Sequence, residues 1–290
     1  DGAFPSDLYA IKSHLRYHGL DDEKNLIHIP FSNNKNRYIS TSIILEYIEK
    51  YENELALIFL GGVNYYNGQV FDMKTITDFA HSKDIIVGFD LAHAAGNINL
   101  KLHDWNVDFA AWCGYKYLNG GPGAPSGIFI HSKNLYMTEN RFEGWWGNDK
   151  DKRFAMEDSF VPMQTAESWQ ISNPPILSMA SLKGSLDIFF EIGFSNILEH
   201  SKVIQKRLWT KLFSINNIEI ITPIDKYEHG CQISFRVDRD SKNVVNKLSD
   251  HGIVCDYREP DIIRIAPVPL YNTIQEIDIF INILKIIVDK

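Results

Sequence analysis

Apolar positions along this chain fall into helical periods at some points and into short unbroken runs at others. Leu8, Ile11 and Leu15 recur at helical spacing behind Ser6 and Asp7, either of which can cap the first turn, and Gly19 stands where a C-terminal stop belongs. This spacing puts Phe4 and Pro5 in a turn just ahead of a helix. A second helix is predicted from Thr41 through Ile44, Tyr47, Ile48 and Tyr51, and a third from Asp72 with Met73, Ile76, Phe79 and Ala80 on one face. Between and after these lie Leu55 to Leu60, Ile85 to Phe89, Val107 to Trp112 and Gly127 to His131, runs of the buried-strand kind. The alternation predicts an α/β domain with a largely parallel sheet.

The character changes at Ser172-Asn173-Pro174-Pro175, where two prolines preclude a regular helix or a central strand. The apolar stretch from Ile176 to Phe213 then reads as one long helix or two broken at Gly193. Short strands follow at Ile218 to Ile221, Gln232 to Val237, Ile253 to Tyr257 and Ile262 to Ile265, interleaved with helices near Lys242 to Ser249 and Thr273 to Val288. The expected organisation is a large α/β domain over residues 1–175 and a smaller α+β domain over 176–290. No internal repeat or low-complexity linker separates them.

Composition narrows the class. With 44% hydrophobic and 12% aromatic residues among 290, the chain can bury a sizeable core. A net charge of −8 without a Lys/Arg block argues against a nucleic-acid partner and for a small-molecule substrate. Cys113, Cys231 and Cys255 form no C-x-x-C pair and are odd in number, which fits a reducing, cytoplasmic setting. The apolar runs are far shorter than the roughly 20 residues of a membrane span. The first residues lack signal-peptide architecture, and a start at Asp1 rather than Met reads as a fragment.

The candidate chemistry centres on Lys116. It follows a predicted strand, is flanked by Trp112, Tyr115 and Tyr117, and precedes a Gly-rich loop, an unusual setting for a solvated lysine. Asp90 ends another predicted strand, and in an open parallel sheet ligands collect at the strands' carboxyl ends. A partly desolvated lysine with an acidic partner is the arrangement that pyridoxal phosphate enzymes use. Asp90 could equally cap a helix over Leu91 to Ala95. His93 would then lie one helical turn away, as a structural residue or part of the site. The loop Asn119 to Gly127 runs into a strand rather than a helix, so close backbone approach suits it better than phosphate binding. Trp145 and Trp146 are most simply packing residues. Arg264 interrupts an apolar run, which means either plain alternation on a half-exposed strand or a guanidinium drawn in to grip a carboxylate, such as a substrate's. The histidines show no metal-ligand spacing, and no metal is expected.

Five blocks carry a resemblance: FPSD at Phe4 to Asp7, the segment Gly88 to Gly127 with its GFDLAHAAGN and CGYKYLNGGPG, GWWG at Gly144 to Gly147, SNPP at Ser172 to Pro175, and RIAPVPLYN at Arg264 to Asn272. Together they resemble the kynureninase family, pyridoxal-phosphate enzymes of tryptophan catabolism and NAD biosynthesis. The resemblance implies a transferase-like fold of type I and a pyridoxal 5'-phosphate cofactor. It also implies hydrolytic Cβ–Cγ cleavage of L-kynurenine or 3-hydroxy-L-kynurenine to L-alanine and anthranilate or 3-hydroxyanthranilate.

The same resemblance assigns roles. Lys116 would hold the cofactor as a Schiff base, Asp90 would keep its ring nitrogen protonated, and Phe4 would stack on the ring, with Pro5, Ser6 and Asp7 beside it. Tyr115 would reach the phosphate and serve as acid or base, with His93 in the same shell and Gly61 at a contact position where some relatives carry serine. Gly114 likewise replaces a more usual serine. Family members are homodimers with shared sites, so Trp145 and Asn173 would serve the neighbouring subunit, Asn173 also meeting substrate. Arg264 would clamp the α-carboxylate. Relatives carry a segment ahead of FPSD with a Leu-Thr phosphate-binding pair and part of the substrate pocket; nothing in these 290 residues supplies it, so the phosphate cradle of this chain by itself is expected to be incomplete. Two rivals stand beside this reading: a cysteine desulfurase or selenocysteine lyase, and a truncated, non-catalytic homologue.

Overall fold

A computed structural model describes all residues except 34, 136–140, 225–228 and 290. Helix α1 (Pro5–Tyr17) begins earlier than the periodicity predicts, because Phe4 is the extended N-cap and Pro5 is already helical. The fixed φ of proline is preorganised for the first helical position, where its missing N–H costs nothing. Ser6 and Asp7 therefore lie inside the first turn rather than at the cap. No residue of α1 is buried, so its apolar stripe is only half covered.

Helices α2 (Thr41–Lys50) and α3 (Met73–His81) start where side chains can accept first-turn N–H groups: Ser40 accepts from Ile43 and Asp72 from Thr75. They press Ile44, Ile48, Ile76 and Ala80 onto the first sheet, whose contribution to this core includes Val87, Phe89 and Ala110. That sheet runs β1 (Leu57–Gly61), β2 (Ile86–Asp90), β3 (Phe109–Trp112), β4 (Gly127–Ile130), in that spatial order. The first three strands are parallel, as predicted, while β4 returns antiparallel to β3 and makes the sheet mixed. Register pairs Gly61 with Asp90 and Asp90 with Ala111, so three strands end level on one edge.

Helices α4 (Ile176–Ile192) and α5 (Phe194–Leu212) are separated at Gly193, whose φ of 82° closes the first helix. Beyond them a second sheet has the order β5 (Ile218–Ile220), β6 (Ile233–Val237), β8 (Ile262–Ile265), β7 (Asp256–Arg258), antiparallel throughout. Helices α5, α6 (Ser241–Asp250) and α7 (Ile274–Val288) cover it, burying Leu208, Leu248 and Leu284 against Phe235 and Ile263. A Thr273–Glu276 capping box starts α7.

Loops from the first sheet dock on the start of β6. Asn97 accepts from the backbone of Cys231 at 2.8 Å, and Gln232 donates to the Tyr65 carbonyl at 3.1 Å. This junction carries β7 and β8 to the edge where Asp90 ends.

Candidate active site

No helix follows Asp90. Residues 91–97 form successive turns, and Asp90 Oδ1 accepts from Ala92 N at 2.7 Å, closing the first of them. The predicted cap of a helix over Leu91 to Ala95 is thus corrected to a tight turn, which a short polar side chain can fasten without a helix. Gly96, with φ 81°, lies near the end of this segment; a Cβ there would lie 2.7 Å from the Tyr117 carbonyl oxygen. Its absence lets the Asp90 loop pack directly on the Lys116 loop.

Lys116 lies in the turn beyond β3, half-buried, with Nζ 5.6 Å from the centre of the Phe4 ring. Phe4 also meets Tyr65 edge-on at 5.2 Å. One turn along α1, Asp7 faces Asp90. Burial, then the Asp90 charge and a hydrogen bond to that carboxyl, push Asp7 up to about 7, against the opposing pull of Lys116. His93 is forced down to about 3, first by burial and then by the positive charges of Lys116, Arg264 and Arg258. It is therefore a neutral imidazole at neutral pH. Its buried Nδ1 has no hydrogen-bond partner among the described residues.

Arg264 does not sit on a half-exposed strand. Ile262, Ile263 and Ile265 are all buried, and the Arg264 side chain is only 11% exposed. The alternation reading is therefore replaced by a guanidinium drawn inward, whose Nη2 is paired with Asp256 and whose Nη1 donates to the Tyr65 carbonyl.

Other predicted residues are placed differently. Tyr115 is half-exposed, and its hydroxyl is raised above the ordinary phenol range first by a hydrogen bond with Cys113 and by that thiol's charge. Gly61 ends β1 level with Asp90. Pro5 opens α1 and Ser6 is exposed beside it. Trp145 packs edge-on against Phe154, and Asn173 is exposed; among the described residues neither bonds or stacks with Phe4, Asp7, Asp90, His93 or Lys116. The Asn119–Gly127 loop makes the close approach predicted, with Gly120 N donating to the Gly114 carbonyl at 3.0 Å.

Sequence reasoning missed Asp256, Arg258, Gln232 and the Tyr65 carbonyl. The signal for the first two was their two-residue spacing on a strand, which turns both side chains to one face. Cys113 and Cys255 flank strands rather than lying within them. Burial raises Cys255 to about 11 and Cys231 to about 12, as expected of inert thiols. Among the described residues no His/Cys/Asp/Glu group could hold a metal ion, and no helix is long and apolar enough to cross a membrane.

Residues 197–284 match the kynureninase C-terminal domain family. Kynureninases of Flavobacterium psychrophilum and Christiangramia forsetii are each 46% identical to the chain, aligning with 98% of it and 68% of their own length. The chain belongs to the kynureninase family. The family's Myxococcus xanthus member is 44% identical over 98% of the chain and 67% of its own sequence, so about two thirds of such a relative is spanned. Similar solved folds include a C-DES variant with glycine covalently linked to its PLP cofactor, at 18% identity and TM-score 0.76, covering 98% of this chain and 72% of that one. The Escherichia coli cysteine desulfurase CsdA is 16% identical with TM-score 0.71, covering 89% of this chain and 64% of that one. At such identities these two share the fold alone with this family member.

Proposed function

We propose that the chain carries out the kynureninase reaction, cleaving L-kynurenine or 3-hydroxy-L-kynurenine with water between Cβ and Cγ to give L-alanine and anthranilate or 3-hydroxyanthranilate. The observation that carries this is the 46% identity to kynureninases over 98% of the chain, and the cofactor is pyridoxal 5'-phosphate. The residues present suit that group. Asp7 and Asp90 bring two carboxyls together, Phe4 offers a ring face beside the Lys116 amine, and the buried Nδ1 of His93 has no partner among the described residues. A protonated heteroaromatic ring would give the carboxyl pair a cation and the phenyl ring a stacking partner.

When bound, the cofactor supplies an electron sink conjugated with the substrate's Cα. Lys116 would hold it covalently and, once displaced by the substrate amine, take the Cα proton. Asp90 would keep the ring nitrogen protonated. Arg264 would orient the substrate by its α-carboxylate, and the Tyr115 hydroxyl would supply protons as the Cβ–Cγ bond breaks. His93, held neutral, would donate or accept a hydrogen bond without adding charge. Pro5, Ser6 and Gly61 would complete the wall around the ring.

The division into a cofactor-binding unit over 1–175 and a smaller unit over 176–290 belongs to the same proposal, as do tryptophan catabolism and a cytoplasmic setting. A homodimer with shared sites is supported by α4, which leaves Ile176, Leu177 and Phe190 exposed. In that dimer Trp145 and Asn173 would serve the partner's site.

The test compares wild type with Lys116→Ala after loading with pyridoxal phosphate. Wild type should gain the visible absorbance of lysine-linked cofactor and release anthranilate from kynurenine, while the variant does neither. Turnover by Lys116→Ala, or sulfide release from cysteine by a wild type inert to kynurenine, would overturn the reading.

A further inference from the structure

Asp256 is the cross-strand partner of Arg264: register sets the two directly opposite one another on β7 and β8. Its Oδ2 accepts from Arg264 Nη2 and also pairs with Arg258 Nη2 at 2.9 Å. On the far side of the guanidinium, the Tyr65 carbonyl accepts from Nη1 and is itself steadied by Gln232 Nε2 at 3.1 Å. Both terminal nitrogens are thus held by the chain, whereas Nε is buried with no partner among the described residues. One carboxylate between two guanidiniums also leaves one positive charge over. An incoming anion would meet a guanidinium held in a fixed orientation, with charge left over.

We infer that Asp256 is a positioning residue for the α-carboxylate subsite, fixing the orientation of the Arg264 guanidinium that receives the substrate carboxylate. The inference rests on the proposal that Arg264 receives that carboxylate. Were Asp256 instead an internal competitor that substrate must displace from Arg264, its removal would lower KM. The two roles move KM in opposite directions.

The experiment uses the holoenzyme, with Asp256→Asn as the isosteric change. Kynurenine KM and kcat are measured together with the inhibition constant of kynurenine's decarboxylated analogue, which keeps the aryl ketone and amine but has no α-carboxylate. Loss of a charge-assisted contact predicts a KM raised by about 10-fold or more, with kcat within about 3-fold and analogue binding unchanged. Asp256→Glu, which keeps the charge on a longer stem, should recover part of the loss. An unchanged or lowered KM overturns the inference, as does an equal weakening of the analogue, which would mark a general structural role. If Asp256→Asn does not fold, the same comparison is read on Asp256→Glu, where a selective rise in KM supports the inference and its absence overturns it. A wild-type holoenzyme inert to kynurenine would sink the function reading and this inference with it, so the two failures are told apart.

Discussion

Phe4 and Lys116 come from distant parts of the chain, yet the lysine Nζ lies 5.6 Å from the centre of the Phe4 ring. Pro5 fixes this by starting α1 immediately after Phe4, which leaves the ring at the helix entrance, facing the turn beyond β3. If the ring is a stacking surface, Phe4→Leu keeps apolar bulk and removes only the aromatic face. The expected result is a cofactor dissociation constant raised about 2- to 13-fold, matching the ~0.5–1.5 kcal/mol of an aromatic pair. Titration with pyridoxal phosphate, followed by absorbance, checks it; unaltered affinity would remove Phe4 from the site.

Asp7 predicts a pH dependence. Its carboxyl sits at about 7 in the folded protein against 3.8 for an ordinary aspartate, so the folded chain binds the extra proton between those values. Its stabilising contribution is complete below about pH 3.8 and fades as pH rises through about 7. His93 works in the opposite sense, since its lowered value makes stability fall as pH drops from 6.5 toward 3. The difference between wild type and Asp7→Asn isolates the first effect. Before cofactor is added, the variant should gain thermal midpoint relative to wild type as pH rises from 4 to 7. Parallel curves for the two proteins would contradict the assignment.

Much of this arrangement was legible in the residues, because sheet strands read as unbroken apolar runs and surface helices as 3.6-residue periods, although Leu57, Ile86 and Ile128 of those runs are exposed rather than buried. Asp90 and Lys116 were visible as polar residues at the ends of such runs. The reversed direction of β4 was not, since an apolar run has no sense of direction. The lack of a helical pattern between Trp112 and Gly127 was the available signal, for a parallel return needs a crossover and usually a helix. Asp256 was hidden because its pairing with Arg264 depends on the register set by the turn through Glu259, Pro260 and Asp261. The contact of Asp7 with Asp90 was hidden too, as local spacing assigned Asp7 to helix capping and only tertiary packing turns it toward the sheet.

At the other end of the strands, Asp108 is a buried hub. It accepts from His81 Nε2 at 2.8 Å, Val87 N at 2.8 Å and Asn134 Nδ2 at 3.0 Å, and pairs with Lys133 Nζ at 2.9 Å. Burial alone would raise its carboxyl, but these donors outweigh it and hold the group at about 2. The stability it contributes is present above about pH 3.8 and lost as pH falls toward 2. Asp108→Asn keeps the shape and removes the charge, so it should cost about 2–4 kcal/mol in urea unfolding at neutral pH. The kcat of the folded variant should be unchanged, since the hub lies away from Lys116.

Two glycines stand where kynureninase relatives are expected to carry serine, and the backbone treats them differently. At Gly61 a Cβ would find its nearest neighbour, the Val63 carbonyl oxygen, at an ordinary 3.5 Å. At Gly114 it would lie 2.2 Å from the Pro125 carbonyl oxygen, backbone that cannot swing aside like a side chain. Gly61→Ser should therefore leave stability within about 0.5 kcal/mol of wild type, and cofactor binding should hold or tighten if the added hydroxyl finds a polar atom. Gly114→Ser forces the loop bearing Tyr115 and Lys116 away from the 119–127 loop, an overpacking that costs about 1–3 kcal/mol. Because that displacement moves Lys116 itself, cofactor affinity should fall with stability in this variant alone. Chemical unfolding and cofactor titration of both proteins decide the matter, and equal tolerance at the two positions would mean that the Gly114 backbone can open further than its packing against Pro125 allows.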